Sequence, residues 1–186
     1  MRKTFLFMMV SLDGYYEGSN RDISWHNVDA EFNEFAVQQT SEVGTLLFGR
    51  KTYELMSSYW PTEAAKSDDP VVAGLMNSLP KIVFSTTLEQ ASWENAKLVR
   101  DNIAEEISKL KNQPGKDIAI FGSSELTVAL TQMGLVDEYR IMVNPVVLGE
   151  GKSLFKGLGD KLSLKLLKTR TFDSGNVLLY YRPEIK

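Results

Sequence analysis

Twice along this chain an apolar run meets a glycine and a helix-like pattern opens at once. Thr45 to Phe48 leads through Gly49 into Arg50 to Met56, and Asp117 to Phe121 leads through Gly122 into Ser123 to Leu130. Strands feeding helices in this way belong to α/β folds, whose strands run parallel and whose helices cover the sheet. A glycine at the junction lets the backbone come close to a ligand. The free N–H groups at the helix start, backed by the helix dipole, favour phosphate oxygens. Two such junctions in one small domain predict a ligand with separated phosphates.

The chain has 186 residues, 43% hydrophobic and 24% charged, a balance that predicts one soluble globular domain over 1–186 with a sizeable core. Its 21 basic and 24 acidic residues are spread along the sequence for a net charge of −3. No basic stripe invites nucleic acid or anionic lipid. Cysteine is absent, which excludes disulfides, thiolate metal sites and a cysteine nucleophile, and fits a reducing compartment. His26 is the only histidine; a multi-histidine metal site is excluded, and a serine triad would have to use His26 as its base. No metal site is expected. The apolar run at 5–10 is short and leads into Ser11 to Gly14 without a small-residue cleavage site, and nothing else is long enough to span a bilayer. A cytoplasmic protein without membrane partners is expected.

Apolar runs alternate with helical patterns along the chain. Strands are predicted over 3–10, 45–48, 81–85, 97–99, 118–121 and 138–143, and helices over 29–43, 50–58, from 103 and over 124–133, with a polar loop through 67–70 leading to a short helix ending near 77. Asn27 or Asp29 fits the cap of the first helix. Asn102 with Glu105 three residues on reads as a capping box. Gly14 and Gly18 loosen the loop after the first strand, a candidate ligand lid. Strand 118–121, helix 124–133 and strand 138–143 form a βαβ unit with parallel strands. Alternating Leu162, Leu164 and Leu166, a turn at 173–176 and the run at 177–181 predict a terminal hairpin.

Gly49 to Glu54 after a strand, Ser85 to Thr87 ending the next, and Ile120 to Ser123 before a helix resemble the dihydrofolate reductase fold. Gly134 to Tyr139, running through to Asn144 to Gly149, is similar to the reductase domain of bacterial riboflavin biosynthesis, the RibD C-terminal domain, which has the same fold. The resemblance covers nearly the whole chain. It implies a three-layer α/β architecture: a central, mostly parallel mixed sheet, flanking helices and a C-terminal antiparallel hairpin, with NADPH across the carboxyl ends of the parallel strands.

By the same resemblance, Gly49, Lys51 and Thr52 meet the pyrophosphate, and Arg50 with Ser85 and Thr86 surrounds the adenosine 2′-phosphate. Arginine suits that place because its planar fork grips a phosphate bidentately. Gly122, Ser123, Ser124 and Glu125 hold the second phosphate region and the nicotinamide side. Ile23 to Trp25 resembles the family's tryptophan-bearing loop over the nicotinamide, with a substrate carboxylate at the start of the following helix. Here that region offers Asp29 and Glu31, with Phe35 one turn on from Glu31; Asp13 is a third candidate. Bland readings stand beside these. Gly49 and Gly122 also fit tight turns, Arg50 and Lys51 solvated helix charges, Ser85 to Thr87 local backbone bonds, and Ser124 a helix cap. Asp29 likewise fits a cap, Glu31 a charge at the dipole, Asp13 a turn, and Trp25 with Phe35 ordinary core.

Two departures bear on the substrate. Folate enzymes clamp the glutamate tail with an arginine, and this chain has none between Arg50 and Arg100. Riboflavin reductases usually carry a glutamate before the second junction glycine, where this chain has Phe121, whose ring cannot make that hydrogen bond. The expected activity is hydride transfer from NADPH to a small planar heterocycle, a pterin or aminopyrimidine, or to a conjugated carbonyl. A non-catalytic NADP(H)-binding module is the alternative. The riboflavin relatives imply a homodimer, through strand residues near Ile141 and Val143.

Overall fold

Along the strand Thr4–Ser11 (β1), side chains alternate between two apolar environments: Leu6 and Val10 enter one cluster, while Phe5 and Met9 point to the other side. Such two-sided burial is what a parallel strand covered on both faces requires. The computed structural model describes residues 1–122 and 124–184. Its other strands and α-helices, in chain order, are Tyr15–Glu17 (β2), Ala30–Ser41 (α1), Val43–Gly49 (β3), Arg50–Tyr59 (α2), Glu63–Asp68 (α3), Pro70–Ser78 (α4), Lys81–Phe84 (β4) and Ala96–Val99 (β5). They continue with Ile103–Asn112 (α5), Asp117–Ile120 (β6), Ser124–Gln132 (α6), Glu138–Asn144 (β7), Lys152–Ser153 (β8), Leu164–Thr171 (β9) and Val177–Pro183 (β10).

Among the described residues, eight strands form one sheet in the order β5-β4-β3-β6-β1-β7-β10-β9. The pairs from β5 to β7 are parallel, and β10 and β9 join antiparallel. This is the predicted α/β architecture with its terminal hairpin. β6 and β7 run parallel as the βαβ pattern implies, with β1 inserted between them. One face packs on α5 and α6 through Ile107, Leu126 and Leu130. The other packs on α2 and α4 through Tyr53, Val72 and Met76, and on α1 through Phe35.

The edge of the parallel half is pinned by a buried lysine. Lys81 Nζ donates to the carbonyls of Asn77 and Leu79 at 2.8 Å and of Glu94 at 3.0 Å, and lies 4.4 Å from the Trp93 ring centroid. It thereby joins the end of α4 to the turn before β5. Burial pushes its ammonium pKa down to about 8.

Several local expectations are corrected. Asn102 does not cap α5 with its side chain; it adopts the left-handed conformation, φ 52°, which asparagine tolerates where a chain turns sharply from strand to helix. α1 ends at Ser41, because Val43 already pairs with Asp117 in β3. The loop at 14–18 is not a free lid: β2 pairs antiparallel with β8, and Lys152 is ion-paired to Glu17. No described helix is long and apolar enough to cross a membrane.

Candidate functional site

At the first junction, Gly49 caps α2 with extended backbone (φ −79°, ψ 163°) and no side-chain cap bond. Gly49 itself therefore offers the N–H groups of the first turn no side-chain acceptor. That turn holds Arg50 and Lys51 and no acid, an arrangement the helix dipole disfavours unless an anion joins it. Arg50 lies 3.8 Å from Glu54 and Lys51 3.1 Å from Glu125, with all four side chains about half exposed or more. Exposed pairs of this kind are weak and readily exchanged for a ligand's phosphate.

Around this helix start the parallel strands end together. A cleft of about 370 Å³ is lined by Gly49, Arg50 and Lys51 from the first junction, Ser85 and Thr86 beyond β4, and Glu125 from α6. Six of the predicted cofactor residues, far apart in sequence, thus share one wall. Arg100, which sequence reasoning passed over, lines the same cleft. It donates to the carbonyls of Thr86 at 3.3 Å and Glu89 at 3.1 Å, bracing the loop after β4. Its signal was its position, directly after the edge strand β5. The Ser85 hydroxyl accepts from Leu88 N at 2.9 Å and Thr87 N at 3.2 Å, so part of its capacity shapes its own turn.

The second junction is tighter. Gly122 has φ +102°, and a Cβ there would stand 3.0 Å from Thr52 Oγ1 and 3.5 Å from Met8 Cε. Only glycine holds that conformation without strain. Thr52 and Gly122 are consequently neighbours, set apart from the residues around Arg50. Ser123 lies outside the described residues. Ser124 opens α6, and its hydroxyl donates to the Tyr16 hydroxyl at 3.2 Å. Tyr16 was also missed, since nothing local marks a tyrosine in β2 as a partner of residue 124.

The three candidate carboxylates all serve as acceptors. Asp29 caps α1, accepting from Phe32 N at 2.8 Å. Glu31 accepts from Arg170 Nη2 at 3.1 Å and from Asp173 N at 2.9 Å, which ties α1 to the hairpin turn. Asp13 accepts from the Ser11 hydroxyl at 2.6 Å, Gly149 N at 2.8 Å and Leu148 N at 3.2 Å. The Ser11 hydroxyl foremost, with the two amides, holds its carboxyl below the ordinary range. Among the described residues, no group of three or more acidic or histidine side chains could hold a metal ion.

Of the aromatic candidates, Phe35 is 4% exposed and packs 5.7 Å from both Phe7 and Phe172, so its ring belongs to the core. Phe121 is half-buried and edge-on to Phe5 and Phe7 at 6.5 and 6.0 Å. Trp25 stands elsewhere, its indole donating to Asp22 O at 3.0 Å and set edge-on to His26. Among the described residues, His26 Nε2 is buried without a hydrogen-bond partner, and burial lowers the imidazole pKa.

A family model described as the RibD C-terminal domain matches residues 2–178. The uncharacterized protein YyaP of Bacillus subtilis is 38% identical over 182 residues, 97% of this chain and 94% of that one. A deaminase/5-amino-6-(5-phosphoribosylamino)uracil reductase of Thermotoga maritima superposes with a TM-score of 0.69 at 15% identity, covering 98% of this chain and 56% of that one. A dihydrofolate reductase of Enterococcus faecalis complexed with NADP(H) gives a TM-score of 0.65 at 15% identity over 98% and 97% of the two chains. At these identities the two solved structures share the fold.

Proposed function

We propose, from the premise that this chain belongs to the RibD C-terminal-domain family, that it is an NADPH-dependent reductase of a small planar heterocycle of the pterin or aminopyrimidine type, or of a conjugated carbonyl. The observation that carries this reading is the cleft that gathers Arg50, Lys51 and Arg100 with the backbone at Gly49. Its donor set fits a dinucleotide phosphate: two guanidinium groups, an ammonium and a helix start without a side-chain cap. When bound, the nicotinamide supplies the hydride.

The chain's own residues bind and orient. Arg50, with Ser85 and Thr86, grips the 2′-phosphate, while Gly49, Lys51 and Thr52 receive the pyrophosphate. Gly122, Ser124 and Glu125 flank the second phosphate and nicotinamide side. Arg100 keeps the loop after β4 in place. A proton must reach the substrate, and Asp13, Asp29 and Glu31 are already engaged as acceptors. We assign its delivery to the Tyr16 hydroxyl, which accepts from Ser124 Oγ at 3.2 Å and keeps its own proton to give.

The engagement of all three carboxylates also favours the second reading, a module that binds NADP(H) without turnover. NADPH oxidation against pterins, pyrimidines and quinones, run beside calorimetry, separates the two. Consumption supports the reductase, affinity without consumption supports the module, and absence of both overturns each. Ile141 and Val143, half-buried on β7, are the surface we assign to a homodimer, which sedimentation tests.

A further inference from the structure

We propose that the cavity between α1 and the C-terminal hairpin is a second ligand site, built for a small organic anion bearing a carboxylate or phosphate. The cavity measures about 330 Å³ and shares no lining residue with the nucleotide cleft. It does not depend on the reductase reading.

Strand register creates it. Arg140 of β7 pairs with Tyr180 of β10, and Tyr180 pairs with Lys168 of β9, so three polar ends rise side by side on the face that α1 partly covers. Arg140 is held at depth: its side chain is 11% exposed and its guanidinium carbon lies 3.7 Å from the Phe5 ring centroid. Nε donates to Glu138 at 2.7 Å and Nη1 to Gln39 Oε1 at 3.3 Å; among the described residues those bonds leave Nη2 over. A guanidinium in such surroundings calls for full pairing.

The neighbours add unengaged donors. Among the described residues, Lys168 forms no ion pair, and its Nζ sits 4.3 Å from the Tyr180 ring centroid. The Tyr180 hydroxyl has no hydrogen-bond partner there either, although the residue is only 7% exposed. Arg170 contributes its edge while paired with Glu31. Phe35 supplies an apolar wall. A guanidinium edge, an ammonium and a phenol converging on one hollow form a donor set for a carboxylate or phosphate. Glu42 on the same lining further favours an anion that also carries an N–H donor.

The test is a ¹H–¹⁵N titration of the full chain with inorganic phosphate and, separately, with malonate, at ionic strength held constant with chloride. Saturating shifts are expected at the amides of Arg140, Lys168 to Arg170 and Tyr180. Lys168→Met, a change at an exposed position that leaves the fold intact, should weaken binding about tenfold, as loss of a charge-assisted hydrogen bond does. Tyr180→Phe should weaken it less. Tighter phosphate than malonate identifies the phosphate arm, and the reverse order the carboxylate arm. Shifts that stay linear with concentration, that map only to Arg50, Ser85 and Arg100, or that are unchanged in Lys168→Met overturn the site.

Discussion

The two strand-to-helix junctions share one sequence pattern and meet two different physical demands. Gly49 lies in extended backbone that any residue adopts, beside two half-exposed cations and a helix start without a side-chain cap. Gly122 is held at φ +102°, and Thr52 Oγ1 lies 3.0 Å from where its Cβ would stand. The first junction is thus open to a ligand, and the second is a tight turn set against Thr52 of α2. A glycine in a motif does not by itself say which of these it serves.

Substitutions can break this contrast. Gly122→Ala should cost about 2–3 kcal/mol of stability in urea denaturation, the strain of a positive φ plus the Thr52 contact; a cost below ~1 kcal/mol would erase the distinction. Arg50→Ala should leave stability unchanged and weaken NADPH binding in calorimetry by about 2 kcal/mol, while NADH binding barely moves. Equal losses for both coenzymes would remove Arg50 from the 2′-phosphate.

Smaller effects sharpen the same contrast. Lys81 anchors the strand that floors the open junction. Its ammonium loses its proton near pH 8 in the native protein and near 10.4 when unfolded. Between those values the unfolded chain binds more protons, so raising the pH stabilises the native state. Urea midpoints should rise from pH 8 to 10 in the native sequence and stay flat in Lys81→Met. Glu125→Gln frees Lys51 and removes a negative charge from the cleft, and should tighten NADPH by about 0.3–1 kcal/mol at low salt. Gly49→Ala should change stability by less than about 1 kcal/mol, because its backbone angles suit alanine.

Much of the fold was legible because its signals are local. The parallel strands read as continuous apolar runs, Asp29 closes the start of α1 as a cap, and the turn before β10 has its glycine at φ +87°. The cleft at the strand ends was legible in outline, since each wall begins where a strand stops. What escaped is non-local. β2 pairs with β8 across more than a hundred residues, Glu31 turns to Arg170 in the hairpin, and Tyr16 reaches Ser124. No periodicity in one segment encodes which distant side chain it meets.

Read alone, the chain determined its α/β class, most of the strands and helices along it, and the two places where backbone N–H groups open a helix. Those follow from hydrophobic period and from glycine at element boundaries, properties of neighbouring residues. Only the tertiary structure decided that Arg100 joins Arg50, that the candidate carboxylates hold loops as acceptors, and that Arg140, Lys168 and Tyr180 share a hollow. Those are facts of register and packing, set when separate strands choose their partners.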